Sequence, residues 1–315
     1  MDMVQPTTWA EALAAKAAAP ALLPIAGGTD VMVDLNFDRS RPPGLLDLTR
    51  IDELRQWAVL PGTVTLGAGV TYAEVIADLG DLLPALAMAS RTVGSPQIRN
   101  RGTVGGNLGS ASPAGDAHPP LLATRAVVEV ESVRGSRMVP IAKFFLGVKR
   151  SALEPDELVR AVHIPTATGP QQFSKIGTRN AMVIAVASFA VCLDAVGRRV
   201  GTGVGSAAPT PLQAVAAEEF VSDALSSGGF WDSRESVPES VVRRFGELVA
   251  SAASPIDDVR GTAAYRRLAL AVMARRTLTW AWSTYQDEHS QSERSQDEDG
   301  QDEHSHDEKR GEGIG

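Results

Sequence analysis

The sequence predicts a mixed fold of strands and helices in two domains, followed by a tail that does not fold. Three observations carry this. The chain has 315 residues, 43% of them apolar, enough for two cores. Its composition shifts at Pro165–Pro170, where Thr, Gly and Pro cluster between two patterned stretches. From Gln286 to Gly315 almost no apolar residue remains, so that segment cannot offset the entropy of ordering.

The elements follow in order. Thr7 or Thr8 caps a helix over Thr8–Ala19, with Glu11 in its first turn. Leu22–Ile25 is a short strand that stops at Gly27–Gly28. Gly44–Leu48 and Thr63–Leu66 are further strands, and Thr71 caps a helix over Tyr72–Leu79. Leu82–Arg91 is helical. Gly102–Asp116 is rich in Gly, Ser and Pro and is expected to hold no regular structure. A helix end within Leu121–Val133 leads into a hairpin turned at Arg134–Ser136 and closing at Pro140. Glu157–Ile164 is a strand. Beyond the shift, Ile184–Ala195 and Arg198–Ser206 form an antiparallel pair turned at Val196–Gly197. Pro211–Leu225, Val237–Ala252 and Thr262–Tyr285 are helices, and Gly228–Pro238 is a loop. The expected domains are 1–168, in lobes of about 1–58 and 59–168, then 169–285, then the acidic tail 286–315.

The net charge of −8 belongs to the tail. It holds 11 acids and 3 bases, leaving 1–285 balanced at 27 of each. No basic footprint of a nucleic-acid binder exists. The tail repeats Gln-Asp-Glu-His at 286–289 and 301–304 and holds three of the five histidines; a solvated segment is favoured over weak metal binding. The single cysteine, Cys192, excludes an intrachain disulfide or a Cys-ligated iron–sulfur cluster and is expected to be a buried thiol. Met1–Pro6 carries no basic leader. The longest uncharged apolar run, Ala181–Leu193, is too short to cross a bilayer, so the expectation is a soluble, cytoplasmic protein without membrane insertion.

Two glycine motifs carry the chemistry. Ile25-Ala-Gly-Gly-Thr-Asp30 follows a strand directly, and adjacent glycines let successive amides face one anion; alone, such a turn is also commonplace. Arg99-Asn-Arg-Gly-Thr-Val-Gly-Gly-Asn-Leu108, continuing to Asp116, adds Thr103, Asn107, Ser110 and Asp116 as neutral donors and an acceptor. A loop of that length is functional or unfolded. Together they predict a dinucleotide diphosphate clamped between two lobes. The solution is not the Rossmann one: the G-x-G-x-x-A match at Gly203–Ala208 runs into Pro209 and Pro211 and reads as a strand end and turn.

These motifs, with Ser112-Pro-Ala-Gly-Asp116, Lys175-Ile-Gly-Thr-Arg179-Asn-Ala181, Gly203–Pro211 and the arginine pairs at 266/267 and 275/276, resemble the FAD subunits of molybdenum hydroxylases. That family includes the medium subunit of carbon monoxide dehydrogenase and the FAD portion of xanthine dehydrogenase. The resemblance covers about 1–285. It implies an α+β class, with a two-lobed FAD-binding domain (PCMH-type) and a smaller C-terminal domain of antiparallel strands and helices. It implies FAD as cofactor. Pro24, Ile25, Ala26, Gly27, Gly28, Thr29, Asp30 and Val31, with Thr103, Val104, Gly105, Gly106 and Asn107, would hold the diphosphate, and Ser110 would assist. Asp116 would bind on the adenosine or the ribityl side. Val159 would pack on the ring or the adenine, and Lys175 would stand near the flavin ring, stabilising its reduced, anionic form; a surface strand residue is the alternative for Lys175. Where many relatives have Asp, this chain has Val183.

The implied role is an oxidoreductase subunit that takes electrons from [2Fe–2S] clusters on a small partner, fed by a molybdenum cofactor on a large one, and passes them to an external acceptor. A dimer of heterotrimers is the implied assembly. No catalytic or metal-binding residue is assigned. Two rivals stand beside this: a self-sufficient FAD-dependent oxidoreductase, whose candidate acid/base groups are His118 and Tyr72, and a scaffold subunit that has lost FAD. His118 is read as a loop histidine near a subunit surface. Arg99 and Arg101 either anchor the second loop or meet a partner.

Overall fold

The structure is a computed structural model that describes residues 2–311, with side chains through Glu288. Of the acidic tail at 286–315, the backbone is described through Gly311 but no side chain beyond Glu288, and residues 312–315 lie outside the described residues.

The chain opens with β1 (Asp2–Val4), α1 (Trp9–Ala18), β2 (Leu23–Ile25), α2 (Val31–Asn36) and β3 (Gly44–Asp47). The strands form a small parallel sheet in the order β1-β3-β2. Thr8, not Thr7, caps α1, in a reciprocal box with Glu11.

Next come β4 (Trp57–Leu60) and β5 (Thr63–Gly67). A run of short helices follows: α3 (Tyr72–Asp78), α4 (Pro84–Arg91), α5 (Pro96–Arg99), α6 (Val104–Ser110) and α7 (His118–Ala123). Then come β6 (Val127–Ser132), β7 (Gly135–Pro140), the two-stranded β8 (Phe145–Gly147) and β9 (Arg150–Ser151), and β10 (Leu158–Pro165). An antiparallel sheet of order β4-β5-β10-β6-β7 results. Its strands alternate, so Val64, Leu66, Val128, Val130 and Val162 enter one core with Leu46, Leu108 and Leu121. A bulge between Val159 and Ala161 breaks that alternation, and both side chains stay buried.

After the Pro/Gly-rich link, β11 (Gln171–Ile176), β12 (Ala187–Asp194) and β13 (Arg199–Gly205) form an antiparallel sheet in that order. Helices α8 (Val215–Ser227), α9 (Phe230–Ser233), α10 (Glu239–Ala252) and α11 (Ala263–Gly311) cover one face. Phe189, Phe245, Leu278 and Trp282 belong to this second core.

Several expectations are corrected. The helix expected from Pro211 begins at Val215, because Leu212 exchanges backbone hydrogen bonds with Val204 at 2.8 and 3.1 Å and extends the sheet instead. One helical turn, α9, occupies the expected 228–238 loop; Trp231 plugs it into the core beside Trp282. Residues 102–116 are not free of regular structure, since they contain α6. Cys192 is only partly buried as a residue, though its surroundings push the thiol up to about 12, chiefly by desolvation.

The two parts meet at α7 and β13. A Cβ on Gly201 would fall on Ala123 O, and one on Gly203 on Pro119 O, so strand backbone lies directly on helix backbone. Ala85, Ala89, Ala123, Phe173 and Ala190 close a small third core there.

Candidate functional site

A cleft of about 720 Å³ opens where the parallel sheet, the five-stranded sheet and the 182–184 segment converge. Both glycine motifs line it.

The first leaves β2 at Ile25. Pro24, Ala26, Gly27, Gly28, Thr29, Asp30 and Val31 face the cleft, whereas Ile25 is buried and does not. Gly28 takes φ +74°, the left-handed region that favours glycine. Gly27 has another reason to lack a side chain: its Cβ would coincide with Arg101 O, so the two motifs touch backbone to backbone.

The second motif is a helix with a bare face. Thr103 caps α6, its Oγ1 accepting from Gly106 N at 2.9 Å. Val104 and Leu108, one turn apart, are fully buried, and Gly105 lies against Ala68. On the other face Gly106 and Gly109 are exposed and line the cleft with Asn107 and Ser110. Burial of the Val104–Leu108 pair compensates for the poor helix propensity of Gly and Ser. The same burial keeps the Val104 side chain out of the cleft, which Val104 does not line.

Asp116 and Val159 also line the cleft. Lys175 does not: its Nζ donates to Asp116 Oδ2 at 2.6 Å and to Thr92 O at 3.2 Å, behind the wall. It is not a surface strand residue either, since its side chain is 7% exposed. Burial pushes the Asp116 carboxyl up to about 6 against the opposing pull of Lys175. Asp116 Oδ1 and Asn107 Oδ1 are buried acceptors without a hydrogen-bond partner.

His118 is not a surface loop residue. It opens α7, fully buried, with Nε2 3.2 Å from Asn107 O and its ring 4.4 Å from that of Phe145. Desolvation lowers its pKa to about 4, and it does not line the cleft. Tyr72 does line it, but burial first and the charges of Asp116 and Asp30 next hold its phenol well above 10. Arg99 anchors the second motif, donating to Val93 O and Gly94 O at 3.0 Å each. Arg101 lines the cleft, as do Arg55 and Asn100, which the sequence reading does not single out. Val183 lines the rim between Met182 and Ile184, both exposed. Among the described residues no cluster of His, Cys, Asp or Glu could hold a metal ion, and no helix is long and apolar enough to cross a membrane.

The donor set fits a dinucleotide. Bare helix and turn backbone suits an anionic diphosphate. The two orphaned carbonyl-type oxygens await hydroxyl or N–H donors.

Comparison with known proteins bears on this geometry. Residues 1–167 match the family described as FAD binding domain in molybdopterin dehydrogenase, and 172–281 match CO dehydrogenase flavoprotein C-terminal domain. The chain is 37% identical over 169 residues to the nicotinate dehydrogenase FAD-subunit of Eubacterium barkeri; that match spans 51% of this chain and only 57% of that protein. It is 32% identical over 246 residues to a putative xanthine dehydrogenase FAD-binding subunit of Escherichia coli, covering 75% of this chain and 83% of that one. The fold is similar to a chain of reconstituted CO dehydrogenase from Oligotropha carboxidovorans, with TM-score 0.82, 27% identity, and 90% and 98% of the two chains covered.

Proposed function

Because the chain belongs to the family of FAD-binding proteins of molybdopterin dehydrogenases, we propose that it is the FAD-carrying electron-transfer subunit of a molybdenum hydroxylase complex. In this reading it works in the cytoplasm. It accepts electrons from [2Fe–2S] clusters of a small subunit, itself fed by a large molybdenum-cofactor subunit, and delivers them to an external acceptor. Two such heterotrimers pair. The domains divide at 168/169.

The observation that carries the reading is one cleft lined by both the bare glycine face of α6 and the Gly27–Gly28 turn, with two unpaired buried oxygens, Asn107 Oδ1 and Asp116 Oδ1, on residues of its lining. Bound FAD would supply the redox chemistry, since a flavin takes electrons singly and releases them in pairs. The protein's part is binding and orientation. Amides from 26–30 and from the start of α6 meet the diphosphate. Asn107 and Asp116 accept hydrogen bonds, and Val159 packs on a ring face. The burial of His118 outside the cleft removes one acid/base candidate of a self-sufficient oxidoreductase. Tyr72 is the other, and its phenol stays protonated throughout the neutral range.

The test is flavin content. The purified chain should carry or take up non-covalent FAD. A side chain at Gly109 meets nothing within 4 Å, whereas one at Gly106 strikes the Thr103 cap at 2.9 Å. Gly109→Leu should therefore leave the fold intact and weaken FAD binding at least tenfold, about 1.4 kcal/mol. Unchanged FAD affinity in that variant would refute the placement, and a chain that cannot be loaded with FAD would refute the function.

A further inference from the structure

Lys175 stands on β11, beyond the Pro/Gly-rich link, yet its ammonium is turned back into the N-terminal part. Both of its hydrogen bonds end there, on Asp116 Oδ2 and on Thr92 O. Thr92 closes α4, and the residues after it, Val93 and Gly94, line the cleft. The side chains of the pair are 7% and 11% exposed. One carboxylate oxygen is thus held by a cation behind the cleft wall. The other, Oδ1, belongs to a cleft-lining residue and is buried with no partner. Leaving a buried acceptor unsatisfied is costly, and a donor from a bound molecule would relieve that cost.

We propose that Lys175 is a positioning residue for the cofactor: it acts through Asp116, holding the free carboxylate oxygen toward the cleft as acceptor for a hydroxyl or N–H of bound FAD, and does not touch the cofactor itself. This rests on the FAD reading above and differs from a direct contact of Lys175 with the flavin ring.

The groups facing Asp116 make the arrangement testable by pH. Lys175 from β11 is the one cation among them; Tyr72 from α3 faces it, with Asp30 beyond that phenol. Burial raises the Asp116 carboxyl and Lys175 opposes the rise. Removing the cation lets Asp116 stay protonated to higher pH, which converts a fixed acceptor into a group that also carries a proton.

FAD titrations of the full-length chain between pH 5 and 9 would decide it, with thermal melts as a check on folding. The wild type should bind with constant affinity above about pH 7 and weaken as pH falls through about 6. Lys175→Met should bind about tenfold more weakly at pH 7 and recover toward pH 9, its acid limb displaced upward. Lys175→Arg should keep the limb where the wild type has it. Asp116→Asn should lose the limb, and in that background Lys175→Met should change the affinity less than about twofold. A loss in Lys175→Met that is equal at every pH and in both backgrounds would mean that Lys175 touches FAD and would overturn the proposal. So would an Asp116→Asn variant that keeps the wild-type profile, which tests the idea even if Lys175→Met does not fold. A wild-type chain that takes up no FAD would instead bring down the FAD reading itself.

Discussion

His118 lies beneath the cleft, and its burial has a measurable price in acid. Its pKa is near 6.5 in an unfolded chain and is lowered to about 4 here, so between those values the folded state binds fewer protons than the unfolded one. Stability then rises with pH through that window and is lost as pH falls from about 6.5 to about 4, on the order of 3 kcal/mol for this group. Asp116 works in the opposite sense: raised from 3.8 to about 6, it favours the folded state in acid and offsets part of the loss. Urea midpoints should therefore fall on acidification from pH 7 to 5, more steeply in Asp116→Asn. The slope should flatten in His118→Asn. An unchanged acid slope in that variant would show that other groups set it. The sequence displays His118 beside two prolines, but its depth is fixed by Phe145 and by α6 folding over it, neither of which is readable locally.

Helix α6 shows where local reading fails and why. Thr8 with Glu11, and Thr71 with Glu74, are legible as capping boxes because both partners lie within one turn. Three of the seven residues of α6 are glycine, each about 1 kcal/mol poorer than Ala, so no propensity argument finds it. Its stability comes from Thr103 at one end and from Val104 and Leu108 packed into a core assembled from distant strands. Thr103→Ala should cost about 1 kcal/mol, and Leu108→Ala about 2–5 kcal/mol, both read from denaturant midpoints. Thr103→Ala should also weaken FAD binding, whereas a surface cap change such as Thr8→Ala should cost stability and leave FAD affinity alone. The small α2 escapes prediction for a related reason: Val31, Met32, Val33 and Leu35 give it an apolar sequence, yet none of its residues is buried. The glycine motifs themselves were legible, since each is a local run; that Gly27 touches the carbonyl of Arg101 is not.

Across the whole molecule, the contacts that join the N-terminal part to the rest link residues far apart in sequence. Lys175 and Asp116 are separated by 59 positions. Glu218, 5% exposed, accepts from Thr202 N at 2.7 Å, from Thr202 Oγ1 at 2.8 Å and from Arg125 Nη2 at 3.2 Å, and so ties α8 to β13 and to Arg125, two residues beyond α7. Glu218→Ala should cost about 3 kcal/mol, because it strands buried donors and removes one side of an ion pair; a melting temperature equal to the wild type would show that the seam does not need it. Such pairings have no signature in composition or periodicity, although the Pro/Gly cluster at 165–170 does advertise a link. That link invites the expectation of a hinge, and the glycines of β13 argue otherwise. With Gly201 and Gly203 seated on the carbonyls of Ala123 and Pro119, strand and helix backbones meet directly at two points, which leaves little slack for rolling or sliding. A protease that nicks the chain at the exposed Thr168 should therefore give two bands on a denaturing gel and a single peak on a sizing column.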